Sequence, residues 1–196
     1  GGTEVTNSTK VTETGNHILY AHWKPRTYDV TLNYNVPTLD PEYNPVVKKL
    51  SGIDIDAKLQ GLPLKSQVPG YEYKDTKFTF YNWYTKDGTM VNSQTPLTPD
   101  MLNENKNGVK LNARWEYGIK FYYNIGVSSS ASRPNETVNF ITDTPYGNKL
   151  PTPTNTGKTL LGWFTDPDKG DQVSASDIAD GEITELYAHW TTSEYV

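Results

Sequence analysis

Apolar and polar side chains alternate along several short stretches of the chain. Residues 28–35 place Tyr, Val, Leu and Tyr on one side and Asp, Thr and Asn on the other, and residues 117–124 largely repeat this pattern. A period of two is typical of a β-strand with one buried face. Residues 77–84 carry aromatic side chains on both sides, as a central strand does. The pattern therefore predicts a mostly β protein.

Three segments between the predicted strands carry signals for short helices. Residues 44–50 begin with Asn-Pro, a capping residue followed by proline at the first helical position, and Gly52 follows as a stop signal. Residues 98–102 and 174–178 begin in a similar way and occupy equivalent places. Short helices that cross a sheet define an α+β arrangement, so the predicted fold class is α+β and mostly β.

Three motifs recur in one fixed order, which indicates an internal repeat. The pattern Leu-x-Ala-x-Trp ends at Trp23, Trp115 and Trp190, and the pattern Trp-aromatic-Thr begins at Trp83 and Trp163. The alternating strand described above is the third motif. In the Leu-x-Ala-x-Trp strand, Leu, Ala and Trp are predicted to face the core, because the residues between them vary among the copies while these do not.

The motifs divide the chain into predicted repeat modules. Glu116 alone links the two whole modules, so we expect a fairly stiff array. The first module is longer than the second because of inserts, the larger of which spans 37–75. The predicted parts are 1–23 as the C-terminal half of a preceding repeat, 28–115 and 117–190 as repeat modules, and 191–196 as a tail.

The composition narrows the classes of protein that fit. Of the 196 residues 12% are aromatic, whereas disordered chains are poor in aromatic residues, so the chain should fold. A net charge of −5 argues against nucleic acid as the main partner, and the apolar runs are too short to span a membrane. The absence of Cys excludes disulfides, thiol catalysis and cysteine-ligated zinc.

The end of the chain resembles a known repeat family. It reads Gly-Lys-Thr-Leu-Leu-Gly-Trp-Phe-Thr at 157–165, then Gly170, then Leu-Tyr-Ala-His-Trp at 186–190, with Leu-Pro-Thr-Pro before them at 150–153. This order is similar to the Listeria–Bacteroides repeat, also called the internalin B-repeat. The middle unit fits the family pattern at both ends, and its centre at 37–75 departs from it.

The resemblance implies a fold, a setting and a role. It implies small β-grasp, ubiquitin-like modules arranged in tandem, in an elongated array. Such modules occur in secreted or wall-attached bacterial surface proteins, often adhesins or invasion-associated virulence proteins, so we expect an extracellular location. The family carries no catalytic residues to transfer to this chain.

The recurring tryptophans have two interpretations. Trp83 and Trp163, each followed by an aromatic residue, fit either a platform for a sugar or core packing, and their recurrence at one position favours the core. The predicted structural positions are Trp23, Trp83, Trp115, Trp163, Trp190 and Gly162. The residues predicted to face outward and form a contact surface are Tyr20, Tyr122 and Tyr187.

Three carboxylates in one predicted turn resemble half of a calcium-binding loop, namely Asp166, Asp168 and Asp171. The bidentate Glu of a full loop is missing, and Asp and Gly also suit a turn between strands. His22 and His189 occupy a position that Arg114 fills in the middle unit, and an Arg cannot ligate a metal. We therefore predict no metal and no cofactor.

The sequence predicts a non-catalytic repeat segment of a bacterial cell-surface or secreted protein. As a stalk or spacer, its partners would be the neighbouring domains of the parent surface protein. The alternative is an adhesin module in which the 37–75 insert and the outward tyrosines bind a host protein or a glycan. An enzyme is not expected, since the acidic residues scatter through turns and no catalytic arrangement stands out.

Overall fold

A computed structural model of the chain describes residues 2–36, 49–125 and 135–191. Of the described residues, 41% are in β structure and almost none are in helices, so the prediction of a mostly β protein is confirmed. The strands are β1 (Thr27–Asn33), β2 (Lys49–Asp54), β3 (Tyr71–Tyr73), β4 (Thr76–Tyr84), β5 (Met90–Val91), β6 (Gly108–Tyr122), β7 (Glu136–Ile141), β8 (Thr144–Pro145), β9 (Leu160–Phe164), β10 (Gln172–Val173), β11 (Ile178–Ala179) and β12 (Glu185–Trp190).

Ten of the described strands form one curled sheet with β6 at its centre. The first half of β6 pairs parallel with β1 and antiparallel with β4. Its second half pairs antiparallel with β7 and parallel with β12. The sheet continues from β1 to β2 on one side and from β12 through β9 to β10 on the other, while β8 and β11 form a separate two-stranded sheet.

The strand pairing around the first half of β6 recurs around the second half. Each unit has a first strand (β1, or the second half of β6), a central strand (β4 or β9) and a closing strand (the first half of β6, or β12). In each unit the first strand runs parallel to the closing strand, and the closing strand pairs antiparallel with the central strand. The register is equivalent as well, because Trp83 lies opposite Ala113 and Trp163 lies opposite Ala188. The motifs that recur in the two whole units therefore occupy recurring places in the sheet.

One face of β6 is buried from end to end. Its inward side chains are at most 3% exposed and are Val109, Leu111, Ala113, Trp115, Tyr117, Ile119 and Phe121. Because successive side chains of a strand point to opposite faces, the odd-numbered residues of one strand form the floor of a core that spans the whole sheet.

Aromatic rings continue this core from one end of the sheet to the other. One series of contacting rings runs from β4 to β6, through Trp83, Phe80, Trp115, Tyr71, Phe78 and Tyr117. A second series runs through Tyr146, Phe140, Phe121 and Trp163. Ring centroids within each series lie 4.6–6.2 Å apart, distances at which aromatic pairs attract. The high aromatic content thus supplies a core that the few aliphatic residues could not fill.

The predicted helices that cross the sheet are not found in the described part of the chain. Pro99–Met101 forms a single 3₁₀ turn within the predicted segment 98–102, and Gly147–Lys149 forms another. Residues 174–177 form a turn in which the Asp177 carboxylate accepts the Ser174 backbone N–H at 2.8 Å, and Ile178 begins β11. Asp and Ser favour such local hydrogen bonds over a helix, and this is the physical reason for the error.

The predicted helix at 44–50 falls mostly on residues 37–48, which lie outside the described residues. Its last two residues, Lys49 and Leu50, belong to strand β2, so the helix does not reach Gly52. Gly52 instead has a φ of +74° within β2, a conformation that glycine adopts without strain. The glycine expected to end a helix marks an irregular point in an edge strand.

Glu116 is not a linker between two separate bodies. It lies in the middle of β6, where it faces Thr79 of β4 on one side and Ile141 of β7 on the other. The hydrogen-bonded ladders on both sides continue through it, so the chain passes from one repeat unit to the next inside a single strand. A short link is therefore not what joins the two units in this structure.

Residues 2–26 contain no strand or helix and are exposed throughout. Leu19 and Trp23 belong to a Leu-x-Ala-x-Trp motif, and the sequence predicts that both face a core. In the structure they are 70% and 89% exposed, because no central strand lies beside this copy of the motif among the described residues. The burial predicted for Trp23 is wrong for this structure.

Candidate functional site: the strand shared by two repeat units

The closing strand of each unit ends at a tryptophan that is held in the same way. The Trp115 indole N–H donates to the Tyr34 carbonyl at 2.7 Å, and the Trp190 indole N–H donates to the Tyr123 carbonyl at 2.7 Å. Both acceptors lie just past the end of the first strand of the same unit. Each indole therefore ties the end of a closing strand to the end of its parallel neighbour.

The central strand of each unit carries a second buried indole. Trp83 donates its N–H to the Pro63 carbonyl at 3.1 Å, and Trp163 donates to the Pro151 carbonyl at 2.9 Å. The two rings are 1% and 2% exposed. A ring buried to this degree has no free face on which a sugar could stack, so these side chains fill the core.

Gly162 precedes Trp163 at a point where an added side chain would meet the side chain of Gln172. Its φ of +146° is rarely adopted by residues with a Cβ, and an added Cβ would lie 2.4 Å from the Gln172 amide nitrogen. That amide donates to the Leu161 carbonyl at 3.0 Å and so occupies the space. The equivalent position in the first unit is Asn82, next to a bulge in β4.

The solvent face of each unit repeats a stacked pair. Arg114 lies over the Tyr84 ring with its guanidinium carbon 4.0 Å from the ring centroid, and His189 stacks on Phe164 with centroids 3.9 Å apart. In both units, the residue before the tryptophan of the closing strand covers the aromatic residue that follows the tryptophan of the central strand. His189 also contacts the Asp166 carbonyl through Nε2 at 2.9 Å, which gives it a structural role.

The predicted contact tyrosines have different environments. Tyr20 is 79% exposed, whereas Tyr122 is only 9% exposed and does not face solvent as predicted. Tyr122 stacks on Tyr187 with centroids 4.8 Å apart, and both hydroxyls donate to Glu185, at 3.3 and 3.0 Å. Burial first, and the hydrogen bond to Glu185 second, raise the pKa of Tyr187 to about 12. The stack therefore leaves little of Tyr122 for a partner.

The three candidate calcium ligands lie in a turn with its own hydrogen bonds. The Asp166 carboxylate accepts the backbone N–H groups of Asp168 and Lys169, each at 3.0 Å, and these bonds hold its pKa below the usual range. The Asp171 N–H donates to the Thr165 hydroxyl at 3.0 Å. Within the described ranges, no group of three or more His, Asp or Glu side chains is arranged to hold a metal ion.

The junction between the two units contains residues that the sequence did not single out. The Thr142 hydroxyl accepts the Trp115 backbone N–H at 3.0 Å, and the Thr142 N–H donates to the Trp115 carbonyl at 2.9 Å. Thr142 is 1% exposed, and it follows β7 in the second unit. No repeat motif includes this threonine, so sequence comparison between the units could not have found it.

A second set of junction contacts joins loops of the two units. The Asn35 amide donates to the Asp143 carboxylate at 2.9 Å, and Lys65 lies 3.6 Å from the Glu116 carboxylate. In the core, the Phe78 and Tyr117 rings stack with centroids 4.7 Å apart. Hydrogen bonds, charges and ring contacts therefore all cross the boundary, in addition to the shared strand.

The described part of the 37–75 insert covers the core of the first unit. Leu59, Leu62, Val68 and Tyr71 are each at most 6% exposed. The segment is held by backbone bonds such as Leu59 N–H to the Thr95 carbonyl at 2.9 Å. An insert that departs from the repeat pattern thus contributes packing, and only its exposed side chains remain for binding.

A model of one protein family matches one part of the chain. Residues 117–189 match the family model of the Listeria-Bacteroides repeat domain. The resemblance to the Listeria–Bacteroides repeat is thereby confirmed for this part of the chain, which spans the second half of β6 through β12. The repeat family is typical of bacterial surface proteins and is generally non-catalytic. No curated protein and no solved structure matches the chain.

The family match indicates what kind of segment this is. It fits a non-catalytic repeat segment of a surface protein. Among the described residues, no helix is long and apolar enough to cross a membrane. The recurring residues that the sequence singled out serve mainly to hold strands together.

Proposed function

We propose that the chain is a stiff spacer built from tandem β-grasp-like repeats, which holds neighbouring domains of a bacterial surface or secreted protein apart. The observation that carries this proposal is the course of β6 through Glu116, paired on both sides. A strand paired on both sides cannot bend freely, because bending would break ladder hydrogen bonds that nothing replaces. The junction around Thr142 and Phe78 adds buried contacts to this restraint.

The stiffness can be measured by ¹⁵N relaxation on the full chain. Amides of β4 and β9 should report the same rotational correlation time and the same diffusion axes, as one rigid body does. A short Gly-Ser insertion after Glu116 should separate the two values, because flexible linkers uncouple the modules that they join. The same insertion after Asn105, in an exposed turn of the first unit, should leave them equal. Independent tumbling of the two units in the unmodified chain would disprove the proposal.

A contact role for the insert is the second candidate function. Leu64 in the insert is 55% exposed, and Tyr81 on β4 is 37% exposed. We propose Leu64 and Tyr81 as separate contact points for weak binding to a host protein or a glycan. Arrays of host proteins and glycans probed with the full chain and with a Leu64→Ser/Tyr81→Ser variant test this role. Binding that the substitutions do not reduce would rule out this surface.

A further inference from the structure

The first and last strands of each repeat unit lie side by side and run in the same direction. β1 pairs parallel with the first half of β6, from Asp29 opposite Gly108 to Asn33 opposite Asn112. The second half of β6 pairs parallel with β12, where Phe121 lies opposite Leu186. In a parallel pair, the beginning of one strand and the end of the other lie at opposite ends of the ladder.

This geometry determines how a pull along the chain would act on the sheet. Tension enters at the beginning of the first strand and leaves at the end of the closing strand, so it slides the two strands past each other. The ladder bonds lie across the direction of pulling and are loaded together. If tension entered at the same end of both strands, the bonds would break one after another.

Side-chain hydrogen bonds cross the same strand pairs. The Trp115 and Trp190 indoles each tie the end of the closing strand to the carbonyl just past the end of the first strand. On the first pair the Asn33 amide donates to the Asn112 amide oxygen at 2.9 Å. On the second pair the Asn124 amide donates to the Ala188 carbonyl at 3.1 Å. Sliding either pair would break these bonds at the same time as the ladder.

From these contacts we propose that β1, β6 and β12 form two shear clamps in series, which keep the chain folded when it is pulled from its ends. β6 is the closing strand of the first clamp and the first strand of the second, so tension passes from β1 to β12 through one continuous strand. The remaining strands of the sheet lie beside this path and stabilise it. The inference rests on the proposed spacer function and adds resistance to tension to it.

Single-molecule pulling with two attachment geometries tests the clamps. The chain has no Cys, so introduced thiols give unique attachment points. Handles on Arg26→Cys and on the C-terminus load both clamps in shear. Handles on Arg26→Cys and Asn105→Cys, at the beginnings of β1 and β6, peel the first clamp open. At one loading rate, we expect a clearly higher unfolding force in shear, and an equal or lower force would overturn the proposal.

The repeat itself supplies a matched pair of variants for the indole bonds. Trp115→Phe removes an indole hydrogen bond within the first clamp, and Trp83→Phe removes one on β4, beside the clamp. The two rings are equally buried, at 0% and 1% exposure, so the two variants lose similar packing. Unfolding under force depends on the unfolding rate, and only the Trp115 bond crosses the strands that slide. Trp115→Phe should therefore lower the unfolding force in shear more than Trp83→Phe does. Equal reductions at matched equilibrium stability would exclude a role for the indole bond in the clamp.

The clamp and the spacer can fail separately. A low unfolding force in shear, with both units still sharing one correlation time, would disprove the clamps but not the stiff spacer. Independent tumbling of the units, with the ordering of forces as expected, would remove the stiffness and keep the clamps.

Discussion

At the scale of single residues, two tryptophan positions in each unit have different tasks. The central indoles, Trp83 and Trp163, fill the core and bond to proline carbonyls. The closing indoles, Trp115 and Trp190, bond to the ends of the first strands. All four are amphipathic groups that combine a large apolar area with one donor, and each donor finds a backbone carbonyl.

Thr142 is the residue whose hydroxyl matters most at the junction. Thr142→Val keeps the shape of the side chain but leaves the Trp115 backbone N–H without its acceptor at 3.0 Å. An unpaired buried donor costs about 1–3 kcal/mol, so denaturant unfolding should show a loss of this size. Thr142→Ser keeps the hydroxyl and should lose only about 0.8 kcal/mol for the missing methyl. A smaller loss for the Val variant than for the Ser variant would contradict this role.

Tyr146 makes the stability depend on alkaline pH. Burial first, and the negative charge of Asp180 second, raise its pKa from 10.0 to about 12. The unfolded chain therefore releases this phenolic proton at lower pH than the folded protein does. The contribution is fully present below pH 10 and is lost as the pH rises towards 12, so stability should fall over this window.

Thermal unfolding at a series of alkaline pH values measures this loss. The melting temperature of the unmodified chain should fall more steeply with pH than that of Tyr146→Phe, which has no proton to release at this site. Tyr20→Phe removes an exposed phenol and is the matched control. Identical slopes for the unmodified chain and Tyr146→Phe would show that Tyr146 does not contribute.

At the scale of elements, β6 belongs to both of the units into which the sequence motifs divide the chain. Its fifteen residues include a closing strand, Glu116 and a first strand, and its inward face is buried throughout. Edge strands such as β2 are short and largely exposed, and their outer hydrogen-bonding groups have no neighbouring strand among the described residues. Protection of the backbone should therefore decrease from β6 outwards.

Native-state hydrogen exchange reports this gradient residue by residue. Amides of β6 that bond to β4 and those that bond to β7 should exchange with one common free energy, close to that of global unfolding. Amides of β2 and β10 should exchange with lower free energies because these strands can open locally. Two distinct free energies for the two halves of β6 would show that the units open independently.

At the scale of the whole molecule, the two repeat units share a sheet and a core. The aromatic series from Trp83 to Tyr117 meets the series from Tyr146 to Trp163 at the junction, where Tyr117 of β6 lies opposite Phe140 of β7. Neither unit can unfold without exposing part of the other. The two parts of the chain thus share sequence motifs and a pattern of strand pairing, and their cores pack against each other.

Calorimetry tests this dependence directly. The chain should unfold in one thermal transition, with the calorimetric enthalpy equal to the van't Hoff enthalpy, as expected when no intermediate is populated. Trp163→Ala, which opens a cavity in the second unit, should shift the whole transition to lower temperature, at a cost of about 3–5 kcal/mol. Two resolved transitions, or a shift of only one part of the curve, would be the contrary result.

The sequence by itself determined the period of the strands, the order of the motifs and the side of the motif strands that faces the core in the two whole units. These follow from local rules, because alternation and the recurrence of Leu-x-Ala-x-Trp need no knowledge of distant contacts. Only the tertiary structure decided that Glu116 continues a strand, that Tyr122 is covered by Tyr187, and that Thr142 closes the junction. Each of these depends on a neighbour far away along the chain, and the pattern around a residue does not state which neighbour it will meet.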